Sequence, residues 1–233
     1  MPAQLKLNET HNVDILFEDK DLIAVNKPTG LASITENDVE KDSLHSLLEE
    51  KLQQKMFVVH RLDKEVSGVI LFAKNARTHR MINRQFNERT IKKSYLALVR
   101  GSVEENDGII KKAIREFGSG RMGIDEKKGK RSETKYHVMQ RVKDYTLLEL
   151  NPSTGRRHQL RVHLYSIGHP IAGDLRYGDK TVQQNFPRIM LHARKIELKL
   201  AGNKIIAVEA PVPDSFSEIL DHLEMISINR GKE

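Results

Sequence analysis

Residues 57–72 (Phe-Val-Val-His-Arg-Leu-Asp-Lys-Glu-Val-Ser-Gly-Val-Ile-Leu-Phe) constrain the fold more than any other stretch of the chain. Two β-branched apolar runs flank a polar block, a pattern that predicts a buried strand, a turn and a second buried strand. His60, Arg61 and Asp63 cluster where the first strand hands over to the loop. Functional side chains are commonly held in this way, on loops fixed by a rigid scaffold. Taken alone, Asp63 has an ordinary explanation, since a turn aspartate hydrogen-bonds the backbone two residues on. The order His-Arg-Leu-Asp also differs from the His-Arg-Asp of protein kinases, and there is neither an Asp-Phe-Gly nor a preceding glycine-rich loop.

A chain of 233 residues, 38% hydrophobic and 30% charged, can bury a full core and is expected to be ordered. No apolar run approaches the roughly 18 residues that span a bilayer. The N-terminal Met1-Pro2-Ala3-Gln4-Leu5-Lys6 lacks the apolar stretch of a secretory signal. Cysteine is absent, which excludes disulfides and thiolate metal sites, and the expected address is the cytoplasm. A net charge of +7 and a pI of about 9.5 suit a polyanionic partner. Between Lys74 and Lys93 seven Lys or Arg residues stand against one acid, Glu88. The periodicity there predicts a helix over 76–88 with Ile82 and Phe86 facing a core and Arg77, Arg80 and Arg84 along one face. Lys127, Lys128, Lys130 and Arg131 form a second cluster in a glycine-punctuated loop. Either run alone reads as a solvated face; two runs on a basic chain favour a phosphate backbone.

The remaining periodicity predicts a hairpin of strands 13–17 and 22–26, an amphipathic helix over 42–54, and a strand over 94–99. Further strands are expected at 132–140, 146–150, 188–197 and 204–209, and a terminal helix at 215–225. Antiparallel strands with a few helices argue an α+β fold: a single catalytic domain (1–233, core about 10–220) on a mixed, largely antiparallel sheet with flanking helices. Only Gly101 to Gly108 reads as a weak hinge. Gly118-Ser119-Gly120-Arg121-Met122-Gly123 matches the G-x-G-x-x-G pattern, but the flanks do not supply the strand before and helix after that a dinucleotide site needs. It is expected to be a flexible basic loop.

The block from Ser153 to Pro170 predicts a helix with Leu160, Leu164 and Ile167 on its buried stripe, Ser153 or Thr154 as its cap, and Gly168 and Pro170 as its stop. Arg157 and Arg161 then fall one turn apart. Arg156, Arg157 and His158 at a helix N-terminus would suit an anion, although arginines snorkelling over a core produce the same pattern. The histidines are too dispersed for a ligand set, so no metal is expected.

Taken in order, several blocks resemble the RluA-type pseudouridine synthases. They are Val25-Asn26-Lys27-Pro28-Thr29-Gly30-Leu31, His60-Arg61-Leu62-Asp63, Lys93 to Gly101, Thr154 to Pro170, Gly173-Asp174-Leu175-Arg176-Tyr177-Gly178 and Leu191-His192-Ala193. The resemblance covers roughly residues 10–220. Val66 departs from it, since most relatives carry Thr there. It also implies no separate RNA-binding domain.

What the resemblance implies is the pseudouridine synthase fold and isomerisation of uridine to pseudouridine in a ribosomal or transfer RNA stem-loop. Neither a cofactor, a membrane nor an obligate protein partner is needed. Asp63 would be the catalytic carboxylate, attacking C1′ or removing the C2′ proton. Arg161 would be the arginine that favours its ionised form, and Tyr95 would stack on the extruded base. His60, Arg61, Arg80, Arg84, Lys127, Lys128, Arg156, Arg157 and His158 would contact RNA. Two other classes compete: a non-catalytic RNA-binding protein that keeps the fold, and a metal-dependent phosphoesterase.

Overall fold

The structure, a computed structural model, describes residues 3–7, 12–35, 42–200, 202 and 204–230; Met1 and Pro2 of the N-terminal stretch lie outside the described residues. In chain order the elements are β1 (Ala3–Lys6), β2 (Asn12–Glu18), β3 (Leu22–Lys27), α1 (Leu44–Leu52), β4 (Phe57–Val58), β5 (Ser67–Ala73), α2 (Ala76–Asn87) and β6 (Lys92–Arg100). They continue as β7 (Asp107–Lys111), β8 (Ile114–Glu116), β9 (Met122–Ile124), β10 (Glu133–Val142), β11 (Tyr145–Pro152), α3 (Gln159–Ser166), α4 (Lys180–Gln183), β12 (Leu191–Lys199), β13 (Ile205–Glu209) and α5 (Asp214–Arg230). The chain divides into two compact units, Met1–Lys93 with Ala193–Pro211 and Ser94–His192 with Val212–Glu233.

In the first unit the β2–β3 hairpin turns on Asp19, whose carboxylate accepts the N–H groups of Asp21 and Leu22, both at 2.8 Å. This is the local bonding that makes aspartate a turn residue. β1 pairs with β2, β2 with β3, β3 and β4 with β5, and β12 with β13, all antiparallel. Every residue of β5 is buried, as its unbroken apolar run requires. One face alternates strictly: Leu22 and Ala24, Val69 and Leu71, Ile196 and Leu198, Ile206 and Val208 join one cluster with Ile82 of α2. Two-residue spacing on strands places these side chains on one side of the sheet. Asn75 caps α2 by accepting from Thr78 N–H at 2.9 Å. Ser43 and Ser46 form a reciprocal capping box on α1.

The expected first strand of the 57–72 segment is shorter than its apolar run. β4 holds only Phe57 and Val58, both half-buried, and the chain leaves the ladder before His60. At the other end Gly68 has φ +118°, and a Cβ placed there would lie 2.2 Å from the Ala193 carbonyl oxygen. Backbone strain and backbone contact both exclude a side chain here.

In the second unit β6, β11, β10 and β7 pair successively and antiparallel, with a bulge between Val138 and Gln140. β8 and β9 form a separate two-stranded ribbon. The Gly118–Gly123 segment is therefore the end of a hairpin, not the flexible loop expected. The helix after Ser153 is also corrected. α3 begins at Gln159, because His158 takes a left-handed conformation (φ 53°, ψ 23°) and turns the chain; neither Ser153 nor Thr154 caps it. Thr154 instead donates to Gln159 Oε1 at 2.7 Å, and that oxygen also accepts from Arg156 N–H at 3.0 Å. Among the described residues no helix is long and apolar enough to cross a membrane.

Candidate active site

Asp63 sits at the start of a tight turn closed by Val66 N–H donating to the Asp63 carbonyl at 3.0 Å. Its neighbours are fastened to the 27–33 segment. Ser33 Oγ donates to the Leu62 carbonyl at 2.7 Å and lies 3.0 Å from Leu62 N–H, which donates back. Gly30 N–H donates to the Lys64 carbonyl at 2.9 Å, and Thr29 Oγ1 donates to the Glu65 carbonyl at 2.6 Å. Lys27, wholly buried, donates to the carbonyls of Pro28, Leu31 and Lys64 at 2.9, 2.6 and 3.0 Å. A buried ammonium is tolerated only where hydrogen bonds replace its water. Here it ties the two loops to one point. The backbone on both sides of Asp63 is thus immobilised by these bonds. Val66 is buried, so its side chain serves packing.

His60, expected to contact RNA, is held within the first unit. Leu71 N–H donates to its Nε2 at 3.0 Å, so the ring takes over as acceptor where β4 has left the ladder. The ring packs on Phe86 at 5.3 Å between centroids. Burial first, and then the Lys93 charge, hold its pKa down to about 3. It is neutral at physiological pH and offers phosphate no cation. Lys93 is itself pulled down to about 8 by burial.

This arrangement makes stability depend on acid. Unfolded, the imidazole protonates near 6.5; folded, it resists until about 3. Between those values the unfolded chain binds more protons. Stability therefore falls as the pH drops from about 6.5, by up to about 1.4 kcal/mol per unit from this residue. His60→Gln, whose amide oxygen can still accept from Leu71 N–H, should flatten the loss measured by urea melts between pH 7 and 4.5. Equal slopes for the two proteins would remove His60 as the cause.

Arg61, Arg80 and Arg84 are exposed in the same unit. Arg84 is paired with Glu88 at 2.7 Å, which leaves Arg80 the freer of the two helix arginines to meet phosphate.

The second unit holds Tyr95, Arg161 and the other basic candidates. Tyr95 is half-buried on β6, opposite Leu150 of β11. Arg161 is no snorkelling surface arginine: its side chain and that of Asp174 are 4% and 0% exposed. Its Nε and Nη2 donate to the two Asp174 oxygens at 2.8 Å each, the bidentate geometry that only arginine provides. Asp174 also accepts from the N–H groups of Arg176 and Tyr177. The Arg161 guanidinium lies 5.3 Å from the Tyr177 ring centre. The Tyr177 hydroxyl is 2.8 Å from His158 Nδ1.

Arg157 precedes α3 and pairs with Glu116 at 2.9 Å, so it is not one turn from Arg161 on a shared helix. Arg156, Lys127 and Lys128 are exposed. Among the described residues no three His, Asp or Glu side chains converge as a ligand set. Lys27, Asp174 and Tyr177 carry roles that sequence reasoning did not assign. A lysine inside the apolar run Leu22–Lys27 was the available signal for the first; nothing local marks Asp174 as a partner 13 residues from Arg161.

In the first unit the loop that carries Asp63 is pinned by its neighbours, and in the second a buried arginine is clamped by a carboxylate. The sequence pattern of the RNA pseudouridylate synthase family matches residues 21–166, and the chain belongs to that family. Within it the chain is of the RluA type, an RNA-acting isomerase. It is 35% identical to ribosomal large subunit pseudouridine synthase C of Pasteurella multocida, over 95% of this chain and 72% of that protein. It is 34% identical to an uncharacterized RNA pseudouridine synthase of Zymomonas mobilis, over 88% of this chain and 96% of that one. Among solved structures, human RNA Pseudouridylate Synthase Domain Containing 1 superposes with a TM-score of 0.76 at 29% identity, covering 93% of this chain and 96% of that one.

Proposed function

We propose that this protein converts a uridine of large-subunit ribosomal RNA to pseudouridine, with Asp63 as the essential carboxylate. The observation that carries the reading is the fastening of Leu62, Lys64 and Glu65 around Asp63 by Ser33, Lys27, Gly30 and Thr29. A carboxylate that must meet a sugar carbon is worth holding this rigidly, since small displacements of a reacting group are costly. The choice of ribosomal over transfer RNA follows relatives named as ribosomal large subunit synthases.

The reaction breaks the C1′–N1 bond, turns the retained uracil and joins C1′ to C5; the C5 proton is released and N1 takes up a proton, so the composition is unchanged. Electrons balance without an oxidant, and no water is consumed. Asp63 acts at the sugar, either as nucleophile at C1′ or as base at C2′. Tyr95 stacks on the extruded base and assists the departure of the C5 proton. Extrusion itself costs a few kcal/mol, which contacts from exposed cations such as Arg61, Arg80, Lys127, Lys128 and Arg156 offset.

The test is tritium release from 5-tritiated uridine in an unmodified ribosomal RNA transcript, with a chelator present. Release by the parent protein is expected. Tyr95→Phe should retain RNA affinity and release tritium roughly 10²- to 10⁴-fold more slowly in a single turnover, the range for loss of a proton-transfer group. Equal rates for Phe and Tyr would leave Tyr95 a stacking residue. No release from ribosomal RNA, with release from transfer RNA, would move the substrate. Release from neither would end the proposal.

A further inference from the structure

The sheet of the second unit ends in a strand that is open on one side. β7 pairs with β10 along one edge, and among the described residues no strand pairs with the other. Such an edge presents a row of unused N–H and C=O groups, and proteins commonly blunt it with central charges, proline or a bulge. The middle of β7 has none of these. Its sequence is Asp107-Gly108-Ile109-Ile110-Lys111, with the charges at the two ends and Ile109 at the centre, 52% exposed.

The strand is held ready for pairing. The Asn106 carbonyl accepts from Val138 N–H at 2.7 Å, and Arg141 donates to the Glu104 carbonyl and to Asn106 Oδ1 at 2.7 and 2.8 Å. These bonds fix the chain where it enters β7, so little order remains to be imposed on it. Asp107, Ile109 and Lys111 share the exposed face, while Gly108 and Ile110 lie on the other. Gly108 stands opposite Tyr136, Tyr136 opposite Leu150, and Leu150 opposite Tyr95, so Ile109 faces away from the Tyr95 side of the sheet.

The order of side chains along β7 is self-complementary. An antiparallel partner of identical sequence, centred on Ile109, sets Asp107 against the second copy's Lys111 at both ends and Ile109 against itself. Opposite charges directly across a strand pair attract, and apolar side chains pack. The neighbours on β10 extend the pattern: His137 Nδ1 lies 2.8 Å from Asp107 Oδ1, and Glu133 pairs with Lys111 at 3.7 Å. The row across four strands then runs His137, Asp107, the second copy's Lys111 and the second copy's Glu133, nitrogen groups alternating with carboxylates. Nothing requires a strand of another protein to carry opposite charges at equal distances from one apolar residue; a second copy meets that condition by symmetry.

We propose that β7 pairs antiparallel with β7 of a second copy of this chain, about a two-fold axis at Ile109, and joins the two sheets edge to edge. The contact is small, one five-residue strand from each copy, and belongs to the weak, transient class. It is independent of the proposed RNA chemistry, because it uses the sheet edge and not the Tyr95 face.

Sedimentation equilibrium is run on the parent protein up to about 0.5 mM, a range that detects contacts of this class, with the melting temperature checked for every variant. A monomer–dimer equilibrium is expected. Asp107→Lys and Lys111→Asp should each weaken it roughly 5- to 500-fold, since each turns two attractive pairs into two repulsive ones. An equimolar mixture of these two variants should associate again. The new lysine of one then faces the new aspartate of the other at one end, and native Lys111 faces native Asp107 at the other. Ile109→Lys, which sets two like charges on the axis, should leave a monomer, and it decides the matter should a charge variant misfold. A parent that stays monomeric throughout would overturn the proposal and favour a strand of another protein on this edge. A dimer that survives all three substitutions, or a mixture that associates no better than its components, would overturn it as well. The readout is association alone, so tritium release decides the functional reading separately.

Discussion

Asp63→Asn is expected to fold and bind RNA as the parent does, and to lose pseudouridine formation by at least about 10⁴-fold, the scale on which single catalytic carboxylates fail. An amide of the same shape neither attacks C1′ nor removes a proton from C2′. The fold should tolerate the change, because the described anchors of this loop are backbone groups of Leu62, Lys64 and Glu65 and the turn is closed by the Asp63 carbonyl. Thermal melting, RNA binding and single-turnover tritium release measure the three properties separately. Turnover within tenfold of the parent, in a preparation free of host enzyme, would dismiss Asp63 as the essential group.

Arg161→Ala is expected to damage both stability and turnover, for reasons that can be separated. The substitution leaves Asp174 buried at 0% side-chain exposure without its guanidinium partner. Breaking a buried pair on one side costs about 3–5 kcal/mol, because an uncompensated charge remains. For a chain of this size that lowers the melting temperature by roughly 6–20 °C. Asp174→Ala should cost as much, and the double variant less than the two single losses together, since neither charge is then stranded. Additive losses would show that the two side chains do not act as a pair. Turnover is compared well below the melting temperature. Recovery of the full rate at saturating RNA would reduce Arg161 to a phosphate ligand.

The apolar runs, the helix over 76–88 and the turn around Asp63 were legible because their causes are local. Alternation, i to i+3 spacing and turn residues act over a few positions. The start of α3 was misjudged for a tertiary reason. Ser153 and Thr154 look like caps, but Thr154 spends its hydroxyl on Gln159 and Glu133, and His158 turns the chain instead. The short β-ribbon over 114–124 was missed because three-residue strands carry almost no periodicity, and its charged and glycine residues resemble a loop.

By itself the sequence determined the α+β class, the basic surface and the order of motifs that place this chain among the RluA-type pseudouridine synthases. Only the tertiary structure decided what individual polar residues do. His60 reads as a cation candidate until burial and the Leu71 N–H make it a neutral acceptor. Lys27 reads as a strand end until three carbonyls surround its ammonium. Arg161 reads as a surface arginine until Asp174 closes on it in the interior. The physical reason is common to all three. The free energy of a charged or titratable group depends on its burial and its partners, and those come from segments distant in the chain.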